Sequence, residues 1–184
     1  MDDNSNFLEL LKKRYSCRKY IPSRKVEMDK ILSCLEAARL APSASNSQPW
    51  KYIIVDDENL KRQVLENLKI GPIKFNQFAK DASFFAIVVQ QLRNLESSAG
   101  QVVMQRSFSQ FDIGCSVNNF CLRATELGLG TCIMGIFDEK KLKKIFKIPL
   151  NRKIVVVVSA GYPEDVVSEK KRKALDEIYS LNKW

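Results

Sequence analysis

The chain has 184 residues and a mass of 21.1 kDa, with 45% hydrophobic and 28% charged residues, the composition of one globular domain or of one domain with an extended tail. Thirty Lys and Arg against 21 Asp and Glu leave a formal charge of +9, which favours anionic partners such as nucleic acid, phosphates or anionic cofactors without choosing among them. No apolar run reaches the ~18 residues of a transmembrane span, which excludes an integral helical membrane protein, and the composition excludes a collagen-like or low-complexity chain.

The opening MDDNSNF is acidic and polar with no apolar stretch, so a secretory signal is not expected. Residues 5–13 read as a short amphipathic helix capped by Ser5 or Asn4. RYSCRKYIPSR (14–24) is a basic loop ended by Pro22. The spacing of Met28, Ile31, Leu32, Leu35 and Ala38 predicts a helix over 27–40, with Ser23 and Glu27 near its start. APSASNSQPW (41–50) is loop. WKYIIV (Trp50–Val55) is a strand, and Asp56 or Asp57 caps a helix over 58–68 that Gly71-Pro72 breaks. A helical turn or two is expected at 75–81, then a buried strand at Ser83–Gln90.

Residues 91–108 are polar and weakly patterned, readable as a lid or substrate loop or as an ordinary surface connection. A long helix over 109–127 is expected, apolar at Phe111, Val117, Phe120, Cys121, Ala124 and Leu127, with Gly128 and Gly130 read as its stop and turn. Thr131–Met134 is a short strand, Asp138 caps a helix over 139–146, and Ile154–Ala160 is the most strand-like run. The tail, 161–184, carries Val166, Val167, Leu175, Ile178 and Tyr179, too apolar for a free polar tail and suited to an arm that packs on a partner. The order ααβααβαβαβ gives an α+β sandwich around a small sheet.

The sequence contains no histidine, which removes Ser-His-Asp and Cys-His catalysis, an HExxH zinc site and a histidine acid/base. Chemistry must run on a cofactor, carboxylates, thiols or backbone amides. The five cysteines stand at 17, 34, 115, 121 and 132, none in CxxC spacing, so no metal site is expected and free thiols in a reducing cytoplasm are.

Four constellations stand out. In an extended loop, Arg14, Ser16 and Arg18 face one way, so two guanidinium forks and a hydroxyl converge as a phosphate would require; a solvated basic loop is the alternative. Pro42 to Gln48 offer a row of uncharged donors and acceptors suited to a polar heteroaromatic ring or a polyol, or simply an Asn/Ser-rich turn. Gly128-Leu-Gly130-Thr-Cys-Ile-Met-Gly135 fails the GxGxxG spacing, but Gly135 at a strand end would let a flat ligand approach the backbone. Lys170-Lys171-Arg172-Lys173 reads as a nuclear-import or nucleic-acid patch, a solvated run, or a last phosphate contact delivered by the tail.

Taken in order, RxSxR, APSxxNxQPW, WKYIIV, FDIGCSVNNFCLRATELGLGTCIMGIF and AGYPED with its basic tail resemble the nitroreductase family of FMN-dependent flavoproteins, from about Phe7 to Tyr179. The resemblance implies a nitroreductase-like α+β sandwich with a small, mostly antiparallel sheet flanked by helices, one domain over 1–184 whose arm, about 161–184, packs on the partner of a homodimer. It implies FMN sites at the interface, NADH or NADPH as hydride donor, and a small acceptor such as a nitroaromatic or quinone served by ping-pong two-electron chemistry. The family's phosphate contacts fall on Arg14, Ser16 and Arg18, with Arg172 and Lys173 (or Lys171) from the tail. Its flavin-lining segment, which comes from the opposite subunit, falls on Pro42, Ser43, Ala44, Ser45 and Asn46. Met134 and Gly135 fall where a backbone N–H faces the flavin's reactive nitrogen. No side chain is expected to be catalytic, Asp112 is expected to be structural, and neither nucleic acid nor membrane is expected as partner. A non-enzymatic flavin carrier or sensor on the same fold, and a nucleic-acid binder driven by the +9 charge, are the other readings; no RRM, helix-turn-helix or zinc pattern supports the latter.

Overall fold

FFAIVVQ has no polar alternation, and such a run needs cover on both faces. In the computed structural model, which describes residues 6–91, 108–164 and 170–184, it forms the strand β4 (Phe84–Gln90), buried on both faces. Phe85, Ile87 and Val89 point into one core; Phe84, Ala86 and Val88 point into the other. Burying each large side chain contributes about 1.5–3 kcal/mol.

The remaining elements are arranged around this strand. They are α1 (Asn6–Lys13), α2 (Met28–Arg39), β1 (Trp50–Val55), α3 (Glu58–Glu66), β2 (Lys69–Ile70), β3 (Ile73–Lys74), α4 (Ser109–Glu126), β5 (Gly130–Met134), α5 (Glu139–Ile145) and β6 (Lys153–Gly161). The main sheet has the order β1-β4-β6-β5 and all its pairings are antiparallel. Helices α2 and α4 contribute Ile31, Cys34, Ala38, Ile113, Val117 and Phe120 to one core. Val64 of α3 and Leu142 of α5 belong to the other. The result is the α+β sandwich expected. Among the described residues no helix is long and apolar enough to cross a membrane, and no cluster of three or more Cys, Asp or Glu could hold a metal ion.

Local chemistry sets the ends of the helices. Asp57 accepts from the Leu60 N–H at 2.9 Å and Asp138 from the Lys141 N–H at 3.1 Å, the two expected N-caps. Gly128, at φ +76°, ends α4 with Leu129 N–H donating to the Ala124 carbonyl and Gly128 N–H to that of Thr125.

Three expectations change. The segment after α3 forms a small hairpin, β2–β3, before a 3-10 turn at Gln77–Asp81, because Gly71 at φ +55° reverses the chain rather than only ending the helix. Phe111 does not share the buried face of α4 but is 73% exposed; that face is Ser109, Asp112, Ile113, Ser116, Val117 and Phe120. Met28 and Leu32 likewise face outward from α2, whose buried residues are Ile31, Cys34 and Ala38. The lid expectation at 91–108, the Ser5 or Asn4 cap, and Val166 and Val167 fall largely outside the described residues.

Candidate functional site

The stretch after α1 runs along the outer edge of the sheet. Ser16 makes a parallel bridge with Thr131 of β5, and Cys17 N–H donates to the Thr131 carbonyl at 2.9 Å. Farther on, Tyr20 bridges Pro163 and Ile21 N–H donates to the Tyr162 carbonyl at 2.9 Å. Extended pairing makes side chains alternate. Cys17 is buried and Tyr15 packs on the same core, while Arg14, Ser16 and Arg18 remain partly or fully accessible; the alternation ends beyond Arg18, where Lys19 is exposed and Tyr20 is buried. The Tyr20 hydroxyl shares a 2.8 Å hydrogen bond with Ser159 Oγ, and burial pushes its pKa up.

This approach depends on Gly130. A Cβ there would sit 2.6 Å from both Cβ and Sγ of Cys17, so only glycine lets the strip lie against β5. Sequence reasoning took Gly130 as a turn glycine; its role depends on a contact 113 positions away and has no local signature.

The tail completes a basic cluster. Lys170 Nζ donates to the Leu11 carbonyl at 2.7 Å, capping the C-terminal turn of α1. Its pKa is lowered by partial burial and then by the positive charges of Arg14 and Arg172, which places three cations in one another's field. Arg18 and Arg14 both act on the Cys132 thiol, whose pKa is nevertheless raised because burial outweighs them. Arg18 also lies over the Phe78 ring at 5.8 Å. Thus Arg14 shares the surroundings of Lys170 and Arg172 on one side and of Cys132 and Arg18 on the other. Lys170 stands in the sequence as the head of the basic run, while the resemblance places the tail's phosphate contact on Arg172 and Lys173 or Lys171. Lys173 is exposed on the tail, next in sequence to Arg172.

The loop at 42–48 is held differently. Ala44 N–H donates to Oδ1 of the buried Asp112 at 3.2 Å, and Ser47 Oγ lies 3.5 Å from Oδ2. Gln48 N–H donates to Ser43 Oγ at 3.0 Å. Ser45, Asn46 and Gln48 have φ of 53°, 50° and 43°, left-handed values that cost non-glycine residues about 1 kcal/mol or more each. Pro42 and Asn46 are exposed, and Ser43 and Ala44 half-buried. Within the chain this loop sits on α4, while the basic strip sits on β5. At the end of β5, Met134 is buried; a Cβ built on exposed Gly135 would meet nothing within 4 Å.

The site therefore offers a cationic strip, a polar strained loop and an unobstructed strand-end glycine. The family model described as the nitroreductase family matches residues 11–162. This chain belongs to the nitroreductase family. It is 32% identical over 162 residues, 86% of each chain, to an Archaeoglobus fulgidus relative carrying the NADH dehydrogenase/NAD(P)H nitroreductase name. A nitroreductase family protein from Clostridium difficile has a TM-score of 0.78 and 27% identity, covering 98% of this chain and all of that one. A nitroreductase of Exiguobacterium sibiricum, solved in complex with FMN, has a TM-score of 0.81 at 22% identity, covering 97% of this chain and 98% of that one, a likeness of fold.

Proposed function

We propose that this chain is an FMN-dependent oxidoreductase that takes hydride from NADH or NADPH and passes two electrons to a small acceptor such as a nitroaromatic or quinone, in alternating half-reactions. The observation that carries the reading is the gathering of Arg14, Lys170 and Arg172 with Arg18 close by, a set of cations suited to a phosphate of nearly two negative charges. The residues fit FMN. Arg14, Ser16 and Arg18, with Arg172 and Lys173 from the tail, would hold its phosphate. Pro42, Ser43, Ala44 and Asn46, supplied by a second subunit, would line its ring. Met134 and Gly135 would present backbone to it at close range, because Gly135 has no side chain to keep a flat ring away.

When bound, FMN supplies the hydride acceptance and two-electron delivery that this histidine-free chain cannot perform with its own side chains. The chain's part is to bind, orient and stabilise. The arginines fix the phosphate through charge-assisted bonds, which sets the position of the attached ring. The cationic strip favours an anionic over a neutral ligand state electrostatically. The buried thiol of Cys132, its pKa raised by burial, stays protonated and contributes no nucleophile.

A homodimer of single-domain subunits, each embraced by the other's arm, is part of this proposal. Phe7 of α1, Met28 and Leu32 of α2 and Phe111 of α4 are exposed apolar residues on helices, and Leu175, Ile178, Tyr179 and Trp184 of the tail are exposed as well. Such surface asks for cover. Free thiols favour a cytoplasmic setting.

The first test is the visible absorption spectrum of the purified protein before and after NADH and NADPH under nitrogen. Flavin bands that bleach are the expected outcome, and the faster donor is the preferred one. Bands that persist with both donors would favour a carrier or sensor. No bands after incubation with FMN would overturn the cofactor assignment. In solution the mass should be near twice 21.1 kDa, and a monomer retaining FMN would contradict the shared site.

A further inference from the structure

On the far side of the sheet from α2 and α4, α5 ends in an unusual way. Ile148 N–H donates to the Lys143 carbonyl at 2.9 Å, so Lys147 occupies the position where a helix end turns left-handed. Its φ is +51°. Glycine takes this place at no steric cost, as Gly128 does after α4, whereas a lysine there is strained.

Lys147 lines a cavity of about 280 Å³ that also involves Lys51, Ile53, Val89, Gln91 and Arg152. Phe146, Ile148 and Pro149 add to its apolar wall. Among the described residues, the lining holds three cations and no carboxylate. Among the described residues, none of the three cations forms an ion pair, and Nη1 of Arg152 is buried without a hydrogen-bond partner. A guanidinium nitrogen left unpaired in this way is costly. Beside the cavity, the pairing of β4 with β6 shifts register between Val88 and Val89, an irregularity of the kind found next to binding sites.

We propose that this cavity is a second binding site, for a small organic anion whose carboxylate or phosphate head meets Lys51, Lys147 and Arg152 while its apolar body rests on Ile53, Val89 and Phe146. The strained lysine and the unpaired guanidinium nitrogen then have one explanation: each supplies positive charge to the same guest, and no described lining carboxylate competes for it. The site is separate from the strip of Arg14 and Arg18, and none of its residues serves the flavin reading.

Calorimetric titration of the FMN-saturated protein with phenyl phosphate, and separately with benzoate, tests this. One saturable site per chain is expected for at least one probe. A preference for phenyl phosphate assigns a phosphate head, and a preference for benzoate a carboxylate. Lys147→Gly should weaken binding roughly tenfold, the worth of one charge-assisted bond, while raising the melting temperature because glycine relieves the left-handed turn. Arg152→Met should weaken binding at least as much. Absence of saturable binding by both probes overturns the proposal, as does binding that Lys147→Gly leaves unchanged. Binding that emerges only after residues 175–184 are deleted also overturns it, because the tail of another copy would then be the occupant.

Discussion

The basic strip at 14–18 and the polar loop at 42–48 are both assigned to the same cofactor, but they are held in place by opposite means. The strip is fixed by main chain: Cys17 N–H on the Thr131 carbonyl, Ile21 N–H on the Tyr162 carbonyl, and a close approach that Gly130 alone permits. Its charged side chains are free of that task. The loop is closed on itself by Ser43 Oγ but anchored to α4 by one buried carboxylate, Asp112, and it carries three left-handed non-glycine residues. A strip built on main chain should tolerate loss of its side chains without losing shape. A loop built on one side chain should lose shape when that side chain goes.

The largest effect should come from breaking the strip's seat. Gly130→Ala forces a methyl to within 2.6 Å of Cys17 and should cost about 1–3 kcal/mol of stability and most of the flavin, read by thermal melts and absorbance ratios. Arg14→Ala with Arg18→Ala should leave the fold intact and purify colourless, with FMN affinity down roughly a hundredfold or more for two charge-assisted contacts. A double variant that keeps full flavin content removes the phosphate assignment. Asp112→Ala should free the loop at a cost of about 1–3 kcal/mol for the unsatisfied partners. Its bound flavin should become more accessible to collisional quenchers, while the dissociation constant changes less than in the arginine pair. Asn46→Gly should do the reverse, adding about 0.5–1 kcal/mol because glycine accepts φ of 50°.

The smallest effect concerns the far end of the strip. The Tyr162 hydroxyl donates to Glu27 Oε2 at 2.7 Å and receives Lys30 Nζ at 2.5 Å, and the Arg24 guanidinium lies 3.4 Å over its ring. The Tyr162 hydrogen bond holds the Glu27 pKa down to about 2. A carboxylate depressed in the folded state stabilises above its unfolded pKa, near 4.3, and loses that contribution as pH falls towards 2. Tyr162→Phe should therefore abolish a small part of the acid sensitivity between these limits and return the Glu27 titration, followed by NMR, towards the ordinary range. An unchanged titration would mean that Lys30, not Tyr162, controls it.

Local periodicity carried much of this into the sequence. The alternation of Arg14, Ser16 and Arg18, the Asp57 and Asp138 caps and the unbroken apolar run of β4 each depend on neighbours a few residues away. What stayed hidden depends on distant partners or competing patterns. Gly130 matters because of Cys17; Lys170 because of Leu11 and Arg14; Arg152 because of a cavity built from β1, β4 and the end of α5. Phe111, Met28 and Leu32 fit a helical period, but each also faces outward beside the buried stripe, and period alone does not say which apolar residues meet the sheet. The β2–β3 hairpin was missed because strands of two residues leave no pattern to read.

The placement of the five thiols has a practical consequence. Cys17, Cys34, Cys121 and Cys132 are buried and Cys115 is exposed on α4. Burial raises the pKa of Cys121 and Cys132, and pushes that of Cys34 up to about 12. A mild alkylating reagent should therefore consume one equivalent per native chain, and the remaining four only on denaturation. That single equivalent counts polypeptide independently of colour, so the ratio of flavin absorbance to alkylated thiol gives cofactor occupancy directly. If two copies meet over α4, the same reagent becomes a clock for their separation, since Cys115 would react at the rate at which the pair comes apart.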